Sequence, residues 1–168
     1  TSGAIIFAKG KRPQQRMMEL FRQRGVAKTY LAFVRGGMVK KSGVIRRPVQ
    51  DPYQARPRGH RPADQVPGQS AVTRYEVLAR TTAVTVIKAF PETGRKNQIR
   101  IHFSQLGHPL LGERVYAFRR DFPLDFRRLA LHAWSVCFTY PGMKQAITVT
   151  APLPADMVEF LSDQQLTV

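Results

Sequence analysis

Gly94 to Gly112 reads G-R-K-N-Q-I-R-I-H-F-S-Q-L-G-H-P-L-L-G: a basic turn, a helical segment, and a stop formed by Gly107 and His108-Pro109. Ile99, His102, Phe103 and Leu106 fall at i, i+3, i+4 and i+7, so one face of the helix is apolar and is read as buried. Asn97 stands where a short polar side chain can cap the helix start. Arg100 lies off the apolar stripe. A guanidinium beside an apolar face is costly unless paired, so a buried Arg100 must find a carboxylate, whereas an exposed one would meet phosphate. Spacing alone leaves both open.

Ser70 to Arg80 and Thr82 to Phe90 are β-rich runs close enough in sequence to pair antiparallel. Leu131 to Tyr140 and Ala146 to Thr150 flank Pro141-Gly142 as a second hairpin. Lys28 to Val34 and Gly3 to Lys9 read as strands. Pro13 suits the first turn of a helix, Met17, Met18, Leu20, Phe21 and Val26 give helical spacing, and Gly25 is its C-terminal cap. A final short helix spans Asp156 to Leu161. The order of elements predicts an α+β fold, a mainly antiparallel sheet flanked by helices, as a single domain over residues 1–168. Arg46 to Gly68 has no hydrophobic period and mixes prolines with Arg56, Arg58 and Arg61, so it is read as a basic loop over 46–68. Tyr116 to Arg128 is a second irregular stretch, aromatic and basic.

Composition narrows the function. The formal net charge is +16, from 27 Lys and Arg against 11 Asp and Glu, and arginine's planar fork suits phosphate. A polyanion would relieve the self-repulsion of so basic a chain, and nucleic acid is the leading candidate. The single cysteine, Cys137, excludes a disulfide framework within the chain and fits a reducing compartment. No apolar run approaches the roughly 18 residues of a membrane span. The four histidines are scattered, so no metal is expected; nor does any phosphate-binding glycine loop or Ser-His-acid spacing occur. A monomer in the cytoplasm is the resulting expectation, with a targeting segment ahead of Thr1 left open.

Three stretches, in order, resemble the RluA-type RNA pseudouridine synthases. Ala27 to Gly36 (A-K-T-Y-L-A-F-V-R-G) resembles the family's tyrosine motif, Gly94 to Gly112 its arginine motif, and Leu131 to Pro154, opening L-H-A and closing A-P-L-P, its C-terminal hairpin. Thr1-Ser2-Gly3 resembles the end of R-L-D-x-x-T-S-G, in which the aspartate is the nucleophile. The resemblance therefore implies an isomerase that converts uridine to pseudouridine in ribosomal or transfer RNA, with its aspartate just upstream of Thr1 and no cofactor. By the same resemblance Tyr30 packs against the flipped base and takes part in removing the C5 proton, while Arg100 pairs with the aspartate. Lys28, Arg56, Arg58, Arg61, Arg95 and Lys96 are the candidate RNA contacts. Lys96 and Asn97 depart from the family pattern of threonine or serine and then histidine. The residues 1–168 by themselves are expected to be inactive and poorly stable, with Arg100 short of its partner. A non-catalytic RNA-binding module of the same fold is the alternative.

Overall fold

The computed structural model describes residues 1–50, 68–117 and 126–168. In chain order the elements are β1 (Ser2–Gly3), α1 (Lys11–Arg22), β2 (Val26–Arg35), β3 (Ser42–Arg46), β4 (Val72–Arg80), β5 (Val84–Pro91), α2 (Gln98–Gln105), β6 (Leu131–Phe138), β7 (Ile147–Thr150) and α3 (Ala155–Asp163). They build one sheet ordered β1-β6-β2-β5-β4-β3, with β7 also paired to β6. Every pairing is antiparallel except the short β1–β6 contact. The α+β expectation holds, and both expected hairpins form.

Alternation along the central strands divides the core between the two faces of the sheet. On one face Ala32, Val34, Ile87, Ala89 and Leu131 pack with Ile99 and Phe103 of α2. On the other, Phe33, Val84 and Val86 pack with Met157 and Leu161 of α3, and Phe33 lies in ring contact with Phe126 and Phe160. Phe33 and Phe103 are fully buried; each contributes about 1.5–3 kcal/mol by leaving water. The apolar stripe of α2 thus fixes which way Arg100 faces.

Local structure departs from expectation in several places. The run Gly3 to Lys9 is not a strand: pairing ends after β1, with Ala4 N–H donating to the Ala133 carbonyl at 2.9 Å. From Ser135 onward the same edge of β6 is taken by β7, so residues 4–8 have no strand to join. They turn Ile6 toward Met17, Val26 and Val136 and leave Ile5 and Phe7 exposed. Gly25 is not the left-handed cap of α1. Arg24 takes that conformation, with φ 60°, and donates its N–H to the Phe21 carbonyl, while Gly25 N–H reaches the Leu20 carbonyl at 2.8 Å. The sequence also gave no sign of β3, a short edge strand with only Ile45 buried.

Candidate active site

β2 presents Lys28 and Tyr30 on the face that carries α2, because residues two apart on a strand share a side. A register shift between Thr29 and Tyr30, where β6 accommodates Trp134 as an extra residue, puts Tyr30 opposite Ala133 and Ala89. The Tyr30 ring lies against the α2-side core, half-buried.

Gln98 locks the turn that leads into α2. Buried at 4% exposure, its Oε1 accepts from the Thr93 hydroxyl at 2.6 Å and from Arg95 N–H at 3.0 Å, and its Nε2 donates to the Val72 carbonyl and Thr73 Oγ1, both at 2.9 Å. Thr73 passes the chain on to His102. Since His102 Nε2 faces the Arg47 carbonyl at 3.0 Å it donates there, and Nδ1 accepts the Thr73 hydroxyl proton at 2.8 Å. The imidazole is therefore neutral, and burial holds its pKa below the ordinary histidine value. A depressed histidine pKa favours the fold above about pH 6.5 and is lost as acid protonates the unfolded chain first. His102→Asn should be less stable at neutral pH yet lose less stability from pH 7 to pH 5 than the parent; parallel urea titrations would reveal an unchanged slope if this reading were wrong.

Asn97 occupies the helix start but does not cap it. With φ 56° its amide turns away, Nδ2 donating to the Tyr116 hydroxyl at 2.9 Å while Oδ1 accepts from Arg100 Nη1 at 3.2 Å. Arg100 itself is not short of a carboxylate. Its Nε and Nη2 form a two-point pair with Glu113 at 2.6 and 2.8 Å, and the Tyr116 ring sits 4.9 Å from the guanidinium carbon. The Glu113 side chain is fully buried, and Oε1 also accepts the N–H groups of Val115 at 2.8 Å and Tyr116 at 3.2 Å. Burial would raise its pKa, but the bonds from Arg100 and these two amides outweigh that and leave it lowered. The expectation that Arg100 is left short of a partner within residues 1–168 is corrected: the fold brings a carboxylate from beyond the helix stop. Its only trace in the sequence is that Glu113 is the sole acid between Gly94 and Arg120.

These residues open onto a cleft of about 840 Å³, lined by Thr1, Lys28, Tyr30, Arg95 and Arg100 among others. Of the expected site residues, Lys96 is exposed and outside this lining, and Arg56, Arg58 and Arg61 lie outside the described residues. Arg114, Arg127 and Arg128 join the wall, none of them singled out by the sequence. Arg128 is anchored by a two-point pair with Asp156 at 2.6 and 2.7 Å, which ties the wall to α3. No aspartate or glutamate occurs among the described lining residues. Burial lowers the Lys28 pKa and raises that of Tyr30, so neither environment favours a phenolate at neutral pH.

The segment Thr1 to Gly3 reaches the cleft by a specific device. His132, 1% exposed, donates from Nε2 to the Ala151 carbonyl at 3.2 Å and accepts the Ser2 hydroxyl at Nδ1 at 3.0 Å. Gly3 then lies so close to Ala133 that an added Cβ would be 2.7 Å from its carbonyl carbon. Besides packing in the sheet, His132 holds Ser2 so that Thr1 faces the cavity.

Residues 1–105 match the family model described as RNA pseudouridylate synthase. The chain belongs to the RNA pseudouridylate synthase family. Curated relatives agree: it is 35% identical to the dual-specificity RNA pseudouridine synthase RluA of Vibrio cholerae over 90% of this chain and 61% of that protein. The Haemophilus influenzae protein of the same name is 37% identical, over 90% and 68%. The ribosomal large subunit pseudouridine synthase D of Nitrosomonas europaea is 36% identical, over 96% and 47%. The chain thus spans about half to two-thirds of the length of these family members. Among solved structures, human RNA pseudouridylate synthase domain containing 4 superposes with a TM-score of 0.76 at 24% identity, over 95% of this chain and 70% of that one. Domain containing 1 gives 0.68 at 26%, over 86% and 62%. Among the described residues of this pseudouridylate synthase chain, no cluster of His, Cys, Asp or Glu could hold a metal, and no helix is long and apolar enough to cross a membrane.

Proposed function

We propose that the protein isomerises uridine to pseudouridine in structured RNA, and that this chain supplies the cleft while the nucleophilic aspartate comes from just ahead of Thr1. The observation that carries the reading is the meeting of Thr1, Tyr30 and Arg100 in one basic cavity whose described lining has no carboxylate of its own. The reaction breaks the C1′–N1 bond, turns the uracil within the site, joins C5 to C1′ and finally moves the C5 proton to N1, so no atoms are gained or lost. Neither metal nor redox cofactor is called for. To be reached, the base must leave its stack.

Tyr30 replaces part of that stack. Its raised pKa argues against a standing phenolate, so a part in the C5 proton transfer would run through the neutral hydroxyl, accepting as it donates. A guanidinium has five N–H groups, enough to keep Glu113 and also meet an incoming aspartate. Because Glu113 already neutralises Arg100, the surrounding Lys28, Arg95, Arg114, Arg127 and Arg128 do much of the work of keeping that aspartate ionised. Phosphates on either side of the target would find the same cations, and the basic loop with Arg56, Arg58 and Arg61 would add to them. Ribosomal or transfer RNA is the substrate class of this reading; the first is the one named for the Nitrosomonas europaea relative.

The test is tritium release from C5-labelled uridine in transcribed RNA, using the protein with its native upstream sequence. Release should vanish when the upstream aspartate becomes asparagine, fall by at least about 100-fold, or roughly 2.7 kcal/mol, for Arg100→Ala, and be absent for residues 1–168 alone. RNA binding with no release in the complete protein, across ribosomal and transfer RNA, would instead establish a binding module.

A further inference from the structure

A second groove, about 590 Å³, opens beside the cleft between the end of α1 and the turn before α2, and shares Phe21, Lys28, Thr93, Gly94 and Arg95 with it. Met18, Arg22, Arg24, Val26 and Glu92 line the groove and not the cleft. Its size falls within the roughly 300–1,000 Å³ of small-ligand sites. Glu92 is its one acid and already pairs with Arg74 at 3.6 Å, leaving a positive surface. Phe21 and Met18 are 45% and 56% exposed, an apolar platform set among cations.

Arg24 makes the groove more than a generic basic surface. It holds the left-handed position after α1, where a side chain costs about 1 kcal/mol relative to glycine, although Gly25 is the next residue. Arg22 has an ordinary structural role, pairing with Glu19 in the last turn. Arg24 has no ion pair among the described residues, so neither backbone geometry nor internal pairing accounts for an arginine there.

We infer that this groove is a second nucleotide subsite, in which Phe21 and Met18 take the base of an unpaired nucleotide flanking the target uridine and Arg24 and Arg95 take its phosphate. The inference rests on the reading that RNA enters the main cleft. Aromatic faces interleaved with positive charge are the usual platform for single-stranded RNA, because every base has a face to stack. Phe21, at the seam, separates the two bases.

Binding of pentauridylate to the protein with its native upstream sequence, followed by fluorescence anisotropy, tests this without requiring turnover, so a failure of catalysis and a failure of the subsite stay distinct. Phe21→Ala should weaken binding by at least about fivefold, and the loss should disappear for a pentamer carrying one abasic ribose at the subsite position. Arg24→Gly, which relieves the backbone and should keep or raise the melting temperature, should weaken both probes and reduce the salt slope by about 0.7. A single 4-thiouridine should crosslink to residues 18–24 from one oligonucleotide position and near Tyr30 from another. Losses for Phe21→Ala that ignore the abasic site, an unchanged salt slope for Arg24→Gly, or crosslinks confined to the main cleft would each overturn the subsite.

Discussion

Glu113→Ala should destabilise the protein by about 3–5 kcal/mol, because it strands the Arg100 guanidinium, only 22% exposed at its side chain, without its carboxylate. Two backbone amides, of Val115 and Tyr116, lose their acceptor in the same step. In the protein with its native upstream sequence, tritium release should fall by at least about 100-fold at a temperature where the variant is still folded, since Arg100 would swing away from the cleft. The informative companion is the double variant Arg100→Met, Glu113→Leu. Replacing a buried ion pair by apolar side chains of similar volume is often neutral or stabilising. Urea denaturation should therefore show most of the stability restored while tritium release stays absent. If Glu113→Ala melted like the parent, the pair would have no structural role and Arg100 would be held in place by something else. The lowered Glu113 pKa gives the pair a pH signature. Its contribution is complete above about pH 4.3, the unfolded glutamate value, and is lost as pH falls through the lower folded one.

Gly112→Ala should have the next largest effect. Gly112 has φ +72°, and a Cβ there would overlap the Arg128 carbonyl, lying 2.6 Å from its carbon and 2.9 Å from the Phe126 oxygen. Left-handed backbone alone costs alanine about 1 kcal/mol. The overlap is with backbone, which cannot rotate aside, so either Glu113 or the 126–128 segment must move. Both form walls of the cleft, one through Arg100 and the other through Arg128 and its Asp156 pair. Gly107→Ala is the matched control: its φ is +80°, yet nothing lies within 4 Å of an added Cβ. Thermal melts should show a small drop for Gly107→Ala and a much larger one for Gly112→Ala, with tritium release impaired only in the second. Equal drops would mean that close packing at Gly112 contributes nothing beyond backbone conformation.

Elements whose signal is local were legible from the residues alone. The α2 stripe of Ile99, His102, Phe103 and Leu106 is a period of 3.6 that any reader can lay on a helix, and the two hairpins announce themselves by short links between β-rich runs. Where competition for a partner decides the outcome, local reading fails. Gly3 to Lys9 has the composition of a strand, but β7 reaches the edge of β6 first. At the end of α1, glycine preference pointed to Gly25 and the helix instead stopped one residue earlier on Arg24.

The candidate site divides the same way. By itself the sequence determined an RNA-suited charge, a mainly antiparallel α+β fold and, through three ordered motifs, the family; it also marked Tyr30 and Arg100 as residues to follow. Only the tertiary structure decided that Arg100 is clamped by Glu113, that His132 reaches across to Ser2, and that Arg114, Arg127 and Arg128 join Lys28 in one wall. The physical reason is that these are single, non-periodic side chains on separate elements. Hydrogen-bond partners more than ten residues apart leave no spacing to read, and which carboxylate a guanidinium finds is settled by where the packed sheet and helices carry it.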